Sequence, residues 1–253
     1  MAASLPVLTF HALENQPSVI SFPTELFRRA MAGLHERGFR TLDLLEAVDC
    51  LQQGAPLPPR SLVITFDDGY RSVYEQAFPV LEHYGMCATV FLTVGEETSA
   101  EPTRRLPSLH GRPMLSWSEI REMHSAAIGV GAHTLTHADL TKAPENRIEV
   151  EICQSKAIIE NALGTPVASF AYPYGRFDQA SLAIARQQFA CACSDQLGLV
   201  GADSDPHTLE RVDAYYLRSD WCFDLMITRL FPLYLGAHSI PRRIRRALQA
   251  NLG

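Results

Sequence analysis

The sequence predicts a single-domain α/β fold built on a mostly parallel sheet or barrel. Short apolar runs rich in Val, Ile and Phe alternate with longer amphipathic stretches along the chain, and such alternation reads as βα units whose strands run parallel. The 253 residues, 47% of them hydrophobic, suffice for one large core. No internal repeat, linker or low-complexity segment divides them.

The elements follow in order. PVLTFHA (6–12) reads as a strand and PTELFRRAMAGLHERG (23–38) as a helix, with Thr24 near its start and Gly38 at its end. DLLEAVDCLQQG (43–54) is a second helix ending on Gly, and APLPPR (55–60) a Pro-rich turn. The strand at 62–66 leads into a helix over 70–85 that Pro79 is placed to kink. CATVFLTV (87–94) is the next strand. Residues 95–115, polar and carrying Pro102, Pro107 and Pro113, read as a loop over a site. A Ser-capped helix (116–126), a strand (127–134) and a long helix closed by Gly (144–164) follow. Then come a strand and turn (167–175), a helix (178–188), a strand (189–194) and a last strand (208–214).

The bulk numbers narrow the function. A net charge of −6 argues against general nucleic-acid binding. No run of about 18 apolar residues is present, so no transmembrane helix is expected. MAASLPVLTFHAL has neither a basic start nor a long apolar run, so no signal peptide is expected in this chain. The six cysteines form no CxxC pair, and most read as buried thiols suited to a reducing compartment. The expectation is a cytoplasmic protein; an exported form already trimmed of its leader would look the same.

In parallel α/β folds chemistry gathers at the C-terminal ends of strands. Here those ends carry His11, Asp67–Asp68, GAHTLTH (131–137), AYPYG (171–175) and ERVD (210–213). Asp67-Asp68-Gly69 could be a turn, since Asp-Gly pairs favour one. Two adjacent carboxylates also suit a site where one binds a cation while its neighbour stays free for proton transfer. His133 and His137, at i and i+4, can face one point. Two His and one Asp make a three-ligand set with an open position, as in catalytic metal sites.

In this order, TFDDG (65–69), HTLTH (133–137) and FAYPYG (170–175) resemble the first three motifs of the NodB-homology polysaccharide deacetylases, carbohydrate esterase family 4. The form of the third resembles the branch with poly-N-acetylglucosamine deacetylases, and the likeness runs from about residue 5 to about residue 214. It implies a distorted (β/α)7 barrel and metal-dependent removal of an N-acetyl group from an amino sugar. By position, Asp67 is then the general base, and Asp68, His133 and His137 bind the metal. Tyr174 offers its backbone N–H to the oxyanion, Pro173 shapes that turn, and Tyr172 and Pro173 border the substrate. Zinc is the metal expected of mixed His and carboxylate ligands, with cobalt, nickel or iron also able to fit.

Two departures stand out. Many members carry Arg where this chain has Ala171, so Arg211 on the last strand is expected to reach Asp67 instead. A late LxxH-type motif has its spacing in LGAH (235–238), but within a helical tail; His11 is the better candidate for a proton donor or substrate contact. The tail, 220–253, is set apart from the barrel of 1–219 as helical and basic, with Arg242, Arg243, Arg245 and Arg246 clustered beside Leu and Ile. It reads as a helix packed on the barrel or as a peripheral contact with anionic lipid. An amidase or deformylase acting on a nucleotide- or lipid-linked sugar, and a non-catalytic glycan-binding barrel, are the competing functions.

Overall fold

The computed structural model describes residues 4–226 and 228–239. Seven parallel strands form a closed barrel: β1 (Val7–Phe10), β2 (Ser61–Phe66), β3 (Ala88–Leu92), β4 (Ile128–Ala132), β5 (Ser169–Ala171), β6 (Cys191–Leu197) and β7 (Leu209–Asp213). Each pairs with the next in sequence, and β7 closes the ring by pairing with β1 through Val212–Leu8 and Asp213–Thr9. The ring is distorted. β4 and β5 share only the Ala132–Phe170 pair, and the register between β6 and β7 shifts between Cys193 and Leu197.

Helices return the chain between strands: α1 (Thr24–Glu36), α2 (Leu44–Gln52), α3 (Phe78–His83), α4 (Trp117–Ser125), α5 (Glu145–Leu163) and α6 (Gln179–Gln188); α7 (Asp220–Leu225) follows the last strand. The expected helix over 70–85 is split. Residues Val73–Ala77 form a wide π turn, and α3 starts afresh with Pro79 in its first turn, where a missing N–H breaks no helical bond. Ser116 caps α4 in a reciprocal capping box with Glu119. Several short strands escaped the sequence pattern: Ser21–Phe22, paired to Ala12–Leu13, Arg40–Thr41, paired to the start of β2, and Ser4–Leu5, paired antiparallel to Val200–Gly201.

Period-two alternation sorts each strand's side chains. Val7 of β1, Val63 of β2, Phe91 of β3, Ala171 of β5, Cys191 and Cys193 of β6 and Leu209 of β7 form one apolar group, joined by Leu44, Ala47, Val48 and Leu51 of α2. Their neighbours Leu8, Phe10, Leu62, Ile64 and Phe66 join the larger cluster that the other helices cover. Cys191, Cys193 and Cys222 are buried, the other cysteines only partly so, and all six are free thiols.

The start of the C-terminal region packs on the barrel. Asp220 and Asp224 of α7 pair with Arg29 and Arg37 of or beside α1, and Phe223 meets Phe22 edge-on at 6.5 Å. Residues 231–239 are helical, with Phe231 and Leu235 buried. The Arg242–Arg246 cluster lies outside the described residues. Among those described, no helix is long and apolar enough to cross a membrane.

One close approach holds β4 in place. Gly131 pairs with Phe91, and a Cβ there would overlap the Phe91 ring and sit 2.7 Å from Ser169 Oγ. Gly131→Ala should therefore overpack this wall and lower stability by about 1–3 kcal/mol. The check is a denaturant midpoint that falls with an unchanged m-value.

Candidate active site

The mouth of the barrel is built on one buried ion pair. Asp67 closes β2 and is 3% exposed; Arg211, on β7, is 2% exposed. Arg211 Nη1 donates to Asp67 Oδ1 and Nη2 to Asp67 Oδ2, both at 2.7 Å, in a two-pronged contact. Further guanidinium contacts hold the side chain. Nε donates to Ser194 O at 2.8 Å, and Nη1 also reaches Thr9 Oγ1 at 3.0 Å. Burial pushes the Asp67 carboxyl up, but the adjacent guanidinium outweighs it and holds the group below the usual carboxylate range. His11 Nε2, at the end of β1 and a quarter exposed, lies 3.9 Å from Asp67 Oδ2.

Asp68 turns the other way. Its Oδ1 sits 3.4 Å from His133 Nε2 and 3.1 Å from His137 Nε2. Neither contact has the angle of a hydrogen bond, and this buried oxygen has no hydrogen-bond partner among the described residues. His133 Nδ1 lies 2.7 Å from Ala171 O. A carbonyl can only accept, so Nδ1 carries a proton, and when the ring is neutral Nε2 presents a lone pair to the same point. Two imidazole nitrogens and a carboxylate oxygen converging on one point suit a positive charge between them. The three ligand atoms lie within 4.8 Å of one another, and this is the one such cluster among the described residues. The donor set of two imidazoles and one carboxylate suits a divalent cation.

The turns that present these groups are strained. Asp68 (φ 77°), Thr134 (φ 68°), His137 (φ 58°) and Tyr174 (φ 57°) all adopt left-handed backbone, and each such residue costs on the order of 1–3 kcal/mol unless its surroundings impose it. Thr134 is the extreme case because its side chain is β-branched. Local bonds impose it: Thr134 Oγ1 accepts from His137 N at 3.1 Å, and Thr93 Oγ1 donates to His133 O at 2.9 Å. Glu151 of α5 accepts from Leu135 N and Thr136 N, both at 2.9 Å. In the Pro173–Gly175 turn, Gly175 (φ 59°) runs so close to Asp195 that a Cβ would overlap its backbone nitrogen. That turn sets Tyr174, 52% exposed, edge-on to the His137 ring at 4.7 Å.

The fold thus brings His11, Asp67, Asp68, His133, His137, Tyr174 and Arg211 to one mouth. Two expected substrate contacts fall elsewhere. Tyr172 is fully buried against Phe170 and Phe177, with its hydroxyl donating to His207 O at 3.1 Å. The residue belongs to the motif, but strand alternation turns its side chain into the core. Pro173 is buried too and only starts the turn. His238 packs on Tyr216 and Tyr234 along the helix at 231–239 and joins none of the contacts of Asp67 or Asp68. Sequence reading missed Glu151, which resembles any polar helix residue, and the His110 Nδ1–Tyr70 Oη contact of 2.9 Å that ties the 95–115 loop to the residue after Asp-Asp-Gly.

The site is an ionised acid beside a cation-ready cluster at the mouth of a parallel α/β barrel. Residues 54–189, more than half of the chain, match the polysaccharide deacetylase family, and the chain belongs to that family. YxkH of Bacillus subtilis, named for the same family, is 29% identical over 211 residues, which cover 83% of this chain and 71% of that one. The poly-β-1,6-N-acetyl-D-glucosamine N-deacetylase of Escherichia coli K12 is 27% identical over 50% of this chain but only 20% of its own length. Its namesake in Staphylococcus aureus N315 is 29% identical over 51% of this chain and 46% of its own length. Among solved structures, IcaB from Ammonifex degensii superposes with a TM-score of 0.70 at 27% identity, over 84% of this chain and 94% of that one. The Streptococcus pyogenes deacetylase PplD superposes at 0.74 with 22% identity, over 84% and 93% respectively, a likeness of fold.

The ion pair makes a stability prediction. Arg211→Ala leaves Asp67 buried and unpaired, which should cost about 3–5 kcal/mol. A carboxyl depressed in the folded state contributes stability that is present above its unfolded pKa of about 3.9 and lost as pH falls through the lower folded value. Without Arg211, burial dominates and raises the Asp67 carboxyl, so the variant's deficit should be largest near neutral pH and shrink as pH falls and Asp67 takes up a proton; denaturant unfolding followed by circular dichroism at several pH values checks this.

Proposed function

We propose that this protein is a metal-dependent deacetylase that hydrolyses N-acetyl groups of an amino-sugar-containing glycan or glycan precursor. The observation that carries this reading is the pairing of Asp67, kept ionised by Arg211, with a partnerless Asp68 oxygen that faces two imidazoles. A module that only bound glycan would have no use for a buried base beside a cation site. The names of the Escherichia coli and Staphylococcus aureus relatives support N-acetylglucosamine as the sugar class.

Asp68, His133 and His137 would hold the cation, and zinc is the first metal to test. A divalent cation bound there supplies a Lewis acid and lowers the pKa of water. Asp67 accepts the proton of the attacking water, its two oxygens held in place by Arg211. Charge developing on the acetamide oxygen falls to the Tyr174 backbone N–H, as in an oxyanion hole. His11, on the more exposed side of Asp67, is placed to protonate the leaving amine. A small crevice lined by His11, Val19 and Tyr215 adjoins it. The half-exposed rings of Tyr174 and Tyr215 suit the mixed apolar and hydroxylated faces of a sugar.

Purified protein should bind one divalent ion per chain. Zinc at about a hundredfold its Kd should raise the stability of the wild type by about 2.7 kcal/mol. His133→Ala should bind none and show no such gain; metal analysis and thermal melts with and without chelator decide the point, and full occupancy in this variant would reject the ligand set. Asp67→Asn should keep its metal and lose turnover by roughly 10²–10⁴, the usual share of general-base catalysis. Rates on free and lipid-linked N-acetylated sugars report that loss and identify the substrate; an N-formyl or other amide turned over in preference would redirect the assignment to an amidase.

A further inference from the structure

Glu151 is a carboxylate in an unusual place. Its side chain is 0% exposed on α5, where an ionised group without partners would be severely penalised. Its partners are specific. Oε2 accepts from Leu135 N and from Thr136 N, both at 2.9 Å, and Oε1 accepts from Thr136 Oγ1 at 2.7 Å. Arg147, one turn earlier on α5, closes the set with Nη2 at 2.8 Å from Oε1. Every one of these donors except Arg147 belongs to Leu135 or Thr136, between the two histidines of the cluster.

The turn that Glu151 grips is the strained one. Thr134 and His137, on either side of the gripped pair, are both left-handed. Successive backbone N–H groups next to left-handed residues form a concavity that suits an anion, and here the anion is supplied by the protein. The grip fixes where the backbone leaves His133 and where it re-enters at His137, and so fixes the separation of the two imidazoles, whose ring centres lie 5.0 Å apart.

We propose that Glu151 is a positioning residue for the metal centre, setting the bite of His133 and His137 through the backbone between them. The proposal rests on the metal reading of the Asp68–His133–His137 cluster. Outer-shell partners of this sort are worth 10–100-fold in metal affinity. Glu151→Gln is the informative change: it keeps size and shape, but one oxygen becomes an NH2 that can no longer accept.

The experiment titrates the full chain with Zn2+ in competition with a chromophoric chelator and records the visible spectrum of the Co2+ form. The wild type is compared with Glu151→Gln, Thr136→Val and Glu160→Gln. Glu160 lies on the same helix and accepts from Val167 N at 2.9 Å, away from the cluster. Glu151→Gln should bind Zn2+ about 10–100-fold more weakly and shift the Co2+ bands, with Thr136→Val intermediate. Glu160→Gln should lower the melting temperature without changing affinity or spectrum. A folded Glu151→Gln with affinity within about twofold of the wild type would overturn the role of Glu151. Should that variant fail to fold, unchanged affinity in Thr136→Val would overturn it. A wild type that binds no divalent ion would instead remove the metal reading, and this proposal with it.

Discussion

The barrel is organised around a charge that it has buried. A guanidinium and a carboxylate inside an apolar ring are tolerable only if every donor and lone pair is matched, because desolvation of two ions can exceed their mutual attraction. That demand explains the polar residues inside the strands. Thr9 and Thr65 face inward among Val7, Val63 and Phe91 because Arg211 needs oxygen acceptors besides Asp67. Ser194 adds its carbonyl where the register of β6 against β7 shifts. With Ala171 small and buried, no competing side chain enters from β5. The site is a polar plug in the upper part of a barrel whose lower part is packed with Val, Leu, Phe and Cys.

A second constraint acts on the rim. Residues with left-handed backbone gather around the candidate cation site, and the strain is distributed over three separate turns rather than one. Each turn has its own brace: Arg211 for Asp67–Asp68, Glu151 and the Thr134 hydroxyl for His133–His137, and the close contact of Gly175 with Asp195 for Tyr174. Strained geometry that is independently over-determined at each position is the structural form of preorganisation.

What could be read from the sequence was whatever is encoded locally. Asp67, Asp68, His133 and His137 sit in contiguous motifs at the ends of apolar runs, so both their identity and their common location follow from the strand-end rule. Arg211 was legible for a different reason: the missing Arg at Ala171 left a carboxylate needing a partner, and a strand end carried one. Tyr172 was misplaced because membership of a motif says nothing about which way a side chain leaves its strand. Glu151 was invisible because its role depends on α5 lying against a turn fifteen and sixteen residues earlier, a tertiary fact. The paired stretches Ser21–Phe22 and Arg40–Thr41 are too short to leave a period.

Asp67 and Arg211 are 144 residues apart in sequence, and β7 pairs with β1 to close the ring. Contacts this distant form late and raise the barrier to folding. During synthesis the carboxylate emerges long before its guanidinium, so a chain released or stalled before the last strand holds the acid without its counter-ion and the barrel without its seam. Barrel closure and the pairing of Asp67 with Arg211 arrive together, because both wait for the last strand.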